Sequence, residues 1–342
     1  MKKNILILLF ISIASFLFSQ NDFQPNQPEQ GPGSATYLHD EVVQYDFAQT
    51  PDGFWLYEPA SPRPDSANVI VFNHGYGGFN PMIYGQWIKH LVRKGNIVIF
   101  PRYQKNVYSP NPRHFSTNVS QAIRDALKRM ESNDFIKPIT RNLAMVGHSY
   151  GGVITADLAV NFEEHNIPKP VAILLCSPGS GPLKGGILDT YKAMSSDIKM
   201  VIMVAENDRI VGEKFGKKVF ETATSVIQRN YIRQLYDNST KPPHRAGHNE
   251  SYALDMDFDN GKRNATSRRA LRKGTTNHID YYGYWKIFDA LLDCSQTGEN
   301  CEYAFGNTPE QKFLGLNSNN QPLLELEVIL PPKELKPTAA AQ

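Results

Sequence analysis

The sequence predicts an α/β fold, a doubly wound and mostly parallel sheet flanked by helices. Three observations carry that prediction. Near-continuous apolar runs recur along the middle of the chain, helical patterns fall between them, and a Gly-x-Ser-x-Gly turn joins one run to a helix. A parallel strand is covered by helices on both faces, so it loses the polar alternation of a half-exposed strand.

Taken in order, the chain opens with "MKKNILILLFISIASFLFSQ", where Lys2 and Lys3 precede an uncharged apolar run from Ile5 to Phe18. That is the layout of a cleaved secretory signal over residues 1–20, with the small Ser19 at its end. The run is shorter than the roughly 20 residues of a membrane span. Cleavage is expected near Ser19 or Gln20, and no cysteine follows to take a lipid anchor. Residues 21–34 are rich in Gln, Asn and Pro and too poor in apolar side chains to hold a fold, so a disordered leader is expected there. "EVVQYDF" and "GFWLYEP" read as two antiparallel strands joined by the turn-prone "AQTPDG".

The apolar runs follow: "NVIVFNH" (68–74), "NIVIFPRY" (96–103), "NLAMVGH" (142–148), "VAILLCS" (171–177) and "KMVIMVAE" (199–206). "NYIRQLYD" (230–237) reads as the last strand. Helical spacing suits 82–94, 118–132, 150–164 and 213–228, and Val119, Ile123, Ala126, Leu127 and Met130 form one apolar stripe. The helix after the Gly-x-Ser-x-Gly turn, "VITADLAVNF", reads as amphipathic. A long polar loop then leads to a closing helix, "HIDYYGYWKIFDALLDC" (278–294), with Tyr281, Tyr284, Trp285, Phe288, Leu291 and Leu292 on its buried face. Helical spacing makes those rings core packing rather than a sugar-stacking surface. Strand and helix alternate without internal repeats, so residues 35–330 are expected to form one domain, followed by a flexible tail over 331–342.

Charge excludes some functions. Lys2 and Lys3 are the only charged residues of the signal segment, so the 36 basic residues fall to 34 without it, equal to the 34 acids. A neutral balance gives no field for nucleic acid or for an anionic membrane. The one basic cluster, "GKRNATSRRALRKG" (261–274), lacks interleaved aromatics and reads as a solvated surface loop. Of three cysteines, Cys294 and Cys301 flank the turn-forming "SQTGEN" and are expected to bridge in an oxidising compartment. Cys176, inside "VAILLCSP", reads as a small buried hydrophobe.

Chemistry centres on "MVGHSYGG". With "NLAMV" as strand and "VITADLAVNF" as helix, Ser149 sits where a strand turns sharply into a helix, the context of a nucleophile elbow. Gly147 and Gly151 leave room for that turn, and the helix N-terminus favours a developing negative charge. A phosphate-binding turn is the rival reading, but the Lys and Gly spacing of a P-loop is missing.

A serine hydroxyl needs a base, and the base needs a partner that fixes its tautomer. Among strand-end carboxylates, Asp208 in "VAENDRIV" is preferred over Glu206, which lies closer to the strand itself. For the base, His248 in "KPPHRAGHNESY" is preferred over His244, and His278 reads as a cap at the start of the last helix. The oxyanion donors are expected to be the backbone N–H groups of Tyr150 and of Tyr76 in "NHGYGGFNP". That stretch lacks the G-x-G-x-x-G spacing of a dinucleotide site.

These residues make the chain resemble an α/β-hydrolase of the secreted esterase and lipase type, which includes cutinase-like and polyester-degrading enzymes. The resemblance spans about residues 35–330 and rests on "NHGYGG", "GHSYGG", "VAENDRIV" and "AGHNES" in that order. "GPGSATYLH", "YGQWIKHLVRKGNIVIFPRYQ" and "YYGYWKIFDALLD" are similar to a further bacterial branch. It implies a Ser-His-Asp triad of Ser149, His248 and Asp208, with His248 at the position of the family's base. Two features differ from polyester hydrolases: His148 stands where they often carry Trp, and "CSPGSG" offers no stacking Trp. Dienelactone hydrolases use a cysteine nucleophile where this chain has Ser149.

The expected function is therefore that of a secreted or periplasmic carboxylic ester hydrolase working through an acyl-enzyme, with no metal or cofactor. Its substrate is expected to be a small or lipid-like ester, with no nucleic-acid partner, no stable membrane anchor and a monomeric chain. Two other readings stand beside it: an amide or peptide hydrolase with the same triad, and an exported binding module on a hydrolase scaffold.

Overall fold

The computed structural model describes residues 24–329. The expected signal segment and the 331–342 tail fall outside the described residues. Nine strands form one sheet in the order β1-β2-β4-β3-β5-β6-β7-β8-β9. They are β1 Glu41–Asp46, β2 Phe54–Ala60, β3 Ser66–Asn73, β4 Asn96–Pro101, β5 Lys137–His148, β6 Ala172–Cys176, β7 Lys199–Ala205, β8 Arg229–Gln234 and β9 Glu327–Ile329. Strands β3 to β8 pair in parallel, while β1, β2 and β9 add antiparallel edges. The predicted doubly wound, mostly parallel sheet is thus present. One correction concerns its edge: β8 is not the last strand, because β9 returns some 90 residues later to pair with Tyr231–Arg233. Three residues are too few to leave a periodic signal.

The apolar runs fill two cores. Ile70, Phe72, Ala144 and Val146 face one side with helices α1 Gly85–Arg93 and α6 Lys286–Gln296, and Val69, Val71, Leu143 and Met145 face the other with α2 Phe115–Arg129, α3 Tyr150–Val160 and α4 Lys214–Thr222. Neither face meets water, so successive residues are apolar. Helix α3 corrects the amphipathic expectation, since Tyr150 to Ala159 are all buried. Its polar members are satisfied internally: the Asn73 amide donates to Thr155 Oγ1 at 2.9 Å, and Asp157 accepts from Ser116 and Asn161.

Three further expectations change. Residues 24–34 are not a loose leader. Gly33 N–H donates to the buried Asp289 carboxylate at 2.8 Å, Gln27 reaches Tyr37 and the Gly33 carbonyl, and the Gln24 amide donates to the Pro242 carbonyl. Gly33 has φ +79°, and a Cβ there would lie 2.2 Å from the Tyr281 carbonyl oxygen. Hydrogen bonds rather than apolar burial hold this polar segment, which composition does not reveal. The basic stretch 261–274 is a helix over most of its length, α5 Ala265–Lys273, nucleated by a capping box in which the Asn264 side chain accepts from Ser267 N–H and Ser267 Oγ accepts from Asn264 N–H. The closing helix begins as a π-helical turn, Ile279–Trp285, before α6.

The expected ring face of that helix is buried, apart from the half-buried Tyr281, and it packs on Trp87 and His90. Two charged residues of α6 are buried with it: Asp289, bonded to His90, and Lys286, whose ammonium donates to the Glu310, Gln311 and Phe313 carbonyls. Cys294 and Cys301 form a disulfide, and Cys176 is buried and free. No helix among the described residues is long and apolar enough to cross a membrane.

Candidate active site

In a parallel array all strands end on one edge, and loops from several strands meet there. Here β3 ends at Asn73, β5 at His148, β6 at Cys176, β7 at Ala205 and β8 at Gln234. The sequence-predicted site residues lie just beyond these ends.

Ser149 joins β5 to α3 with φ 56° and ψ −121°, a conformation sparsely used by residues with a side chain. Its neighbours explain how the turn closes. A Cβ on Gly147 would stand 2.3 Å from the Gly151 carbonyl oxygen, and one on Gly151 would stand 2.0 Å from that of Asn73. Real Cβ atoms do not approach so closely, so both positions need glycine. The turn is pinned by Ser149 N–H donating to the Cys176 carbonyl at 2.9 Å.

His248 reaches Ser149 from the loop after β8. Its Nε2 is 2.9 Å from Ser149 Oγ, and its Nδ1 is 2.7 Å from Asp208 Oδ2. An ionised carboxylate only accepts, so Nδ1 carries the proton and Nε2 is left to accept from the serine hydroxyl. Burial by itself would raise the Asp208 carboxyl. The hydrogen bond and charge of His248, with the N–H groups of Val211 and Ile210, outweigh it and hold the pKa below the ordinary value. Those two N–H groups donate to Asp208 Oδ1 at 3.1 and 2.9 Å.

The rival residues lie elsewhere. Glu206 is exposed and accepts from Tyr236 N–H. His244 is buried with its Nδ1 3.8 Å from Glu250, and its ring packs edge-on against His278. His278 is the N-cap of the π-helical turn and bonds to Gln24.

The loop from His74 to Gly78 carries the first expected oxyanion donor. Gly75 N–H donates to Tyr84 Oη at 3.0 Å, Gly77 N–H to Gln104 Oε1 at 2.7 Å, and Gly78 N–H to the Gly75 carbonyl at 2.8 Å. Tyr76 N–H donates to no other described residue. Tyr150 N–H opens α3, where a helix has no partner four residues back. The loop also lies close to the serine, since a Cβ on Gly75 would come within 3.2 Å of Ser149 Cβ.

Several residues around the site went unassigned in the sequence. Asn264 donates to the Gly77 carbonyl at 2.8 Å and Thr266 to that of Tyr76 at 3.2 Å, so the start of α5 holds the 76–77 loop from outside. Tyr76 Oη donates to the Val107 carbonyl. His148 is buried between Tyr84 and the His248 backbone. The only sequence signal for His148 is its place beside the serine, and for Asn264 it is the "NATS" capping pattern.

A cavity of about 590 Å³ borders His248, walled by leader residues 24–27, the 242–250 loop and residues 272–278. Its lining carries Arg245, Arg272 and Lys273 against the single acid Glu250. No group of three or more His, Cys, Asp or Glu that could hold a metal occurs among the described residues.

The arrangement can lower the cost of serine attack on a carbonyl: a hydroxyl, a base of fixed tautomer and an anchored carboxylate stand in sequence, beside two uncommitted N–H groups. Comparison with known proteins adds one finding. The family model described as Chlorophyllase matches residues 36–242, a stretch that includes Ser149 and Asp208 and ends before His248. No curated protein matches.

Proposed function

The chain belongs to the chlorophyllase family, a family of the α/β-hydrolase type, and from that premise we propose that it cleaves carboxylic esters through an acyl-enzyme on Ser149. The observation that carries the proposal is the continuous hydrogen-bonded series Ser149–His248–Asp208 at the strained turn.

In this reading Ser149 Oγ attacks the ester carbonyl while His248 Nε2 takes its proton. Asp208 stabilises the resulting imidazolium without itself taking a proton. The negative charge that develops on the carbonyl oxygen is met by Tyr76 and Tyr150 N–H, and one such donor is worth about 10²–10³ in kcat. Collapse of the tetrahedral adduct breaks the bond to the alcohol, whose oxygen receives the proton from His248. A water, deprotonated in turn by His248, attacks the acyl-serine; the acyl–Oγ bond breaks, Ser149 Oγ takes the proton back from His248, and the acid is released. Acyl and alcohol specificity would be set by the walls over 104–118, 177–197 and 249–277.

The test is kinetic. Purified protein is expected to turn over 4-nitrophenyl acetate or butyrate, and Ser149→Ala to lose at least about 10³ of kcat. Unchanged turnover by Ser149→Ala would remove the serine from the mechanism. A matched amide should be cleaved more slowly than the ester, and the reverse ranking would favour a peptidase.

Export to an oxidising compartment forms part of the same proposal, supported by the Cys294–Cys301 disulfide. N-terminal sequencing of protein recovered outside the cytoplasm should begin after Ser19 or Gln20. A chain beginning at Met1 would contradict it.

A further inference from the structure

Three loops must hold fixed relative positions for the proposed reaction: the serine turn, the 74–78 loop and the loop bearing His248. The first two leave the neighbouring strands β5 and β3, whose ladder ends at Asn73 and Gly147, while the third comes from the segment after β8, which pairs with neither strand. One side-chain pair touches all three. Gly75 N–H donates to Tyr84 Oη at 3.0 Å, Tyr84 Oη lies 2.9 Å from His148 Nδ1, and His148 Nε2 lies 2.9 Å from the His248 carbonyl oxygen.

The direction of each proton follows. A carbonyl oxygen only accepts, so His148 Nε2 must carry hydrogen, which leaves Nδ1 as an acceptor. Tyr84 then donates to Nδ1, and its oxygen lone pair is free for Gly75 N–H. The other protonation patterns set two acceptors or two donors face to face inside a buried site, at the cost of an unmade buried hydrogen bond. Both side chains are fully enclosed: Tyr84 is 0% and His148 1% exposed. Burial, together with the neighbouring His248, pushes the His148 pKa down to about 3, which keeps the ring neutral as this pattern demands. Gly75 matters to the contact, because a Cβ there would stand 3.0 Å from His148 Nδ1.

We propose that Tyr84 and His148 are positioning residues that lock the Tyr76 oxyanion loop and the His248 loop to the serine turn through one ordered hydrogen-bond chain. The proposal rests on the ester-hydrolase reading above. Neither residue touches substrate; His148 acts on His248 through its backbone carbonyl, and Tyr84 acts on Tyr76 through the adjacent Gly75 amide. Misplacement of reacting groups by about 1 Å costs about 10² in rate, so loosening either loop should appear in kcat rather than in substrate binding.

The experiment compares wild type, Tyr84→Phe, His148→Phe, His148→Gln and the double variant Tyr84→Phe/His148→Phe on 4-nitrophenyl butyrate. Active sites are titrated with a fluorophosphonate, and folding is checked by urea midpoint. Per titrated site, Tyr84→Phe and His148→Phe should each lower kcat about 10- to 100-fold with KM within about 2-fold. The double variant should cost little more than one single, since either change breaks the same chain. His148→Gln, whose amide can still donate and accept, should recover part of the loss.

A purely structural role predicts a different pattern: fewer titratable sites, unchanged kcat per site, and additive effects. That pattern, or kcat within 2-fold of wild type in folded Tyr84→Phe, overturns the proposal. Tyr84→Phe removes one oxygen and keeps the ring, so it remains decisive if His148→Phe does not fold. The ester reading fails separately, on the Ser149→Ala comparison.

Discussion

At the scale of single residues, the site is built from groups whose roles follow from what they can donate and accept. Asp208 can only accept, and it is used fully: one oxygen fixes the His248 tautomer and the other takes two backbone N–H groups. Asp208→Asn keeps the shape but lets the amide donate toward Nδ1, which favours the wrong tautomer. Its kcat is expected to fall by about 10⁴. The same substitution has a pH signature. Because the folded pKa of Asp208 lies below the ordinary 3.8, the unfolded chain takes up the proton first. The stability contributed by the carboxylate is therefore fully present above that ordinary range and disappears as pH falls through the folded value. Urea midpoints of wild type and Asp208→Asn should differ at pH 7 and converge in acid; a constant gap would refute the linkage. Ser149, Asp208 and His248 were legible because the fold fixes their order along strand ends. Tyr84 and His148 were not, since a hydrogen bond between side chains 64 residues apart leaves no local pattern.

At the scale of elements, the strands were read well and the connections poorly. Five of the six parallel strands advertise themselves as apolar runs. Helix α5 does not, because its face toward the protein is narrow: among its members only Ser267 and Ala270 are buried, and most of the rest is charged. What makes it a helix is Asn264 and Ser267 capping each other, a signal present in "NATS" but outweighed by the basic composition around it. The docked leader escaped for a related reason, since it is held by hydrogen bonds of Gln24, Gln27 and Gly33 N–H and contains two left-handed glycines, Gly31 and Gly33. Asn264 tests whether α5 serves the site. Asn264→Ala should cost about 1 kcal/mol of stability for the lost cap. If α5 braces the oxyanion loop, kcat should fall clearly more than in a variant of equal stability cost made at Thr308, which caps a short helix through Gln311 N–H. Equal kcat in both would reduce Asn264 to a cap.

At the scale of the whole molecule, one sheet gathers what the chain scatters. Residues 36–242, which match the family, carry Ser149, Asp208 and the 74–78 loop proposed to hold the oxyanion. Beyond residue 242 come His248, the α5 segment that holds Tyr76 and Gly77, and the aromatic helix that closes the core. The site is complete only when both parts fold together, so its chemistry should vanish with the native structure. Covalent labelling by a fluorophosphonate followed by peptide mapping tests Ser149 as the nucleophile. One adduct is expected, on Ser149; it should form in the folded protein, slow sharply in His248→Ala and be absent after urea unfolding. Labelling at another serine, or none in the folded wild type, would contradict it.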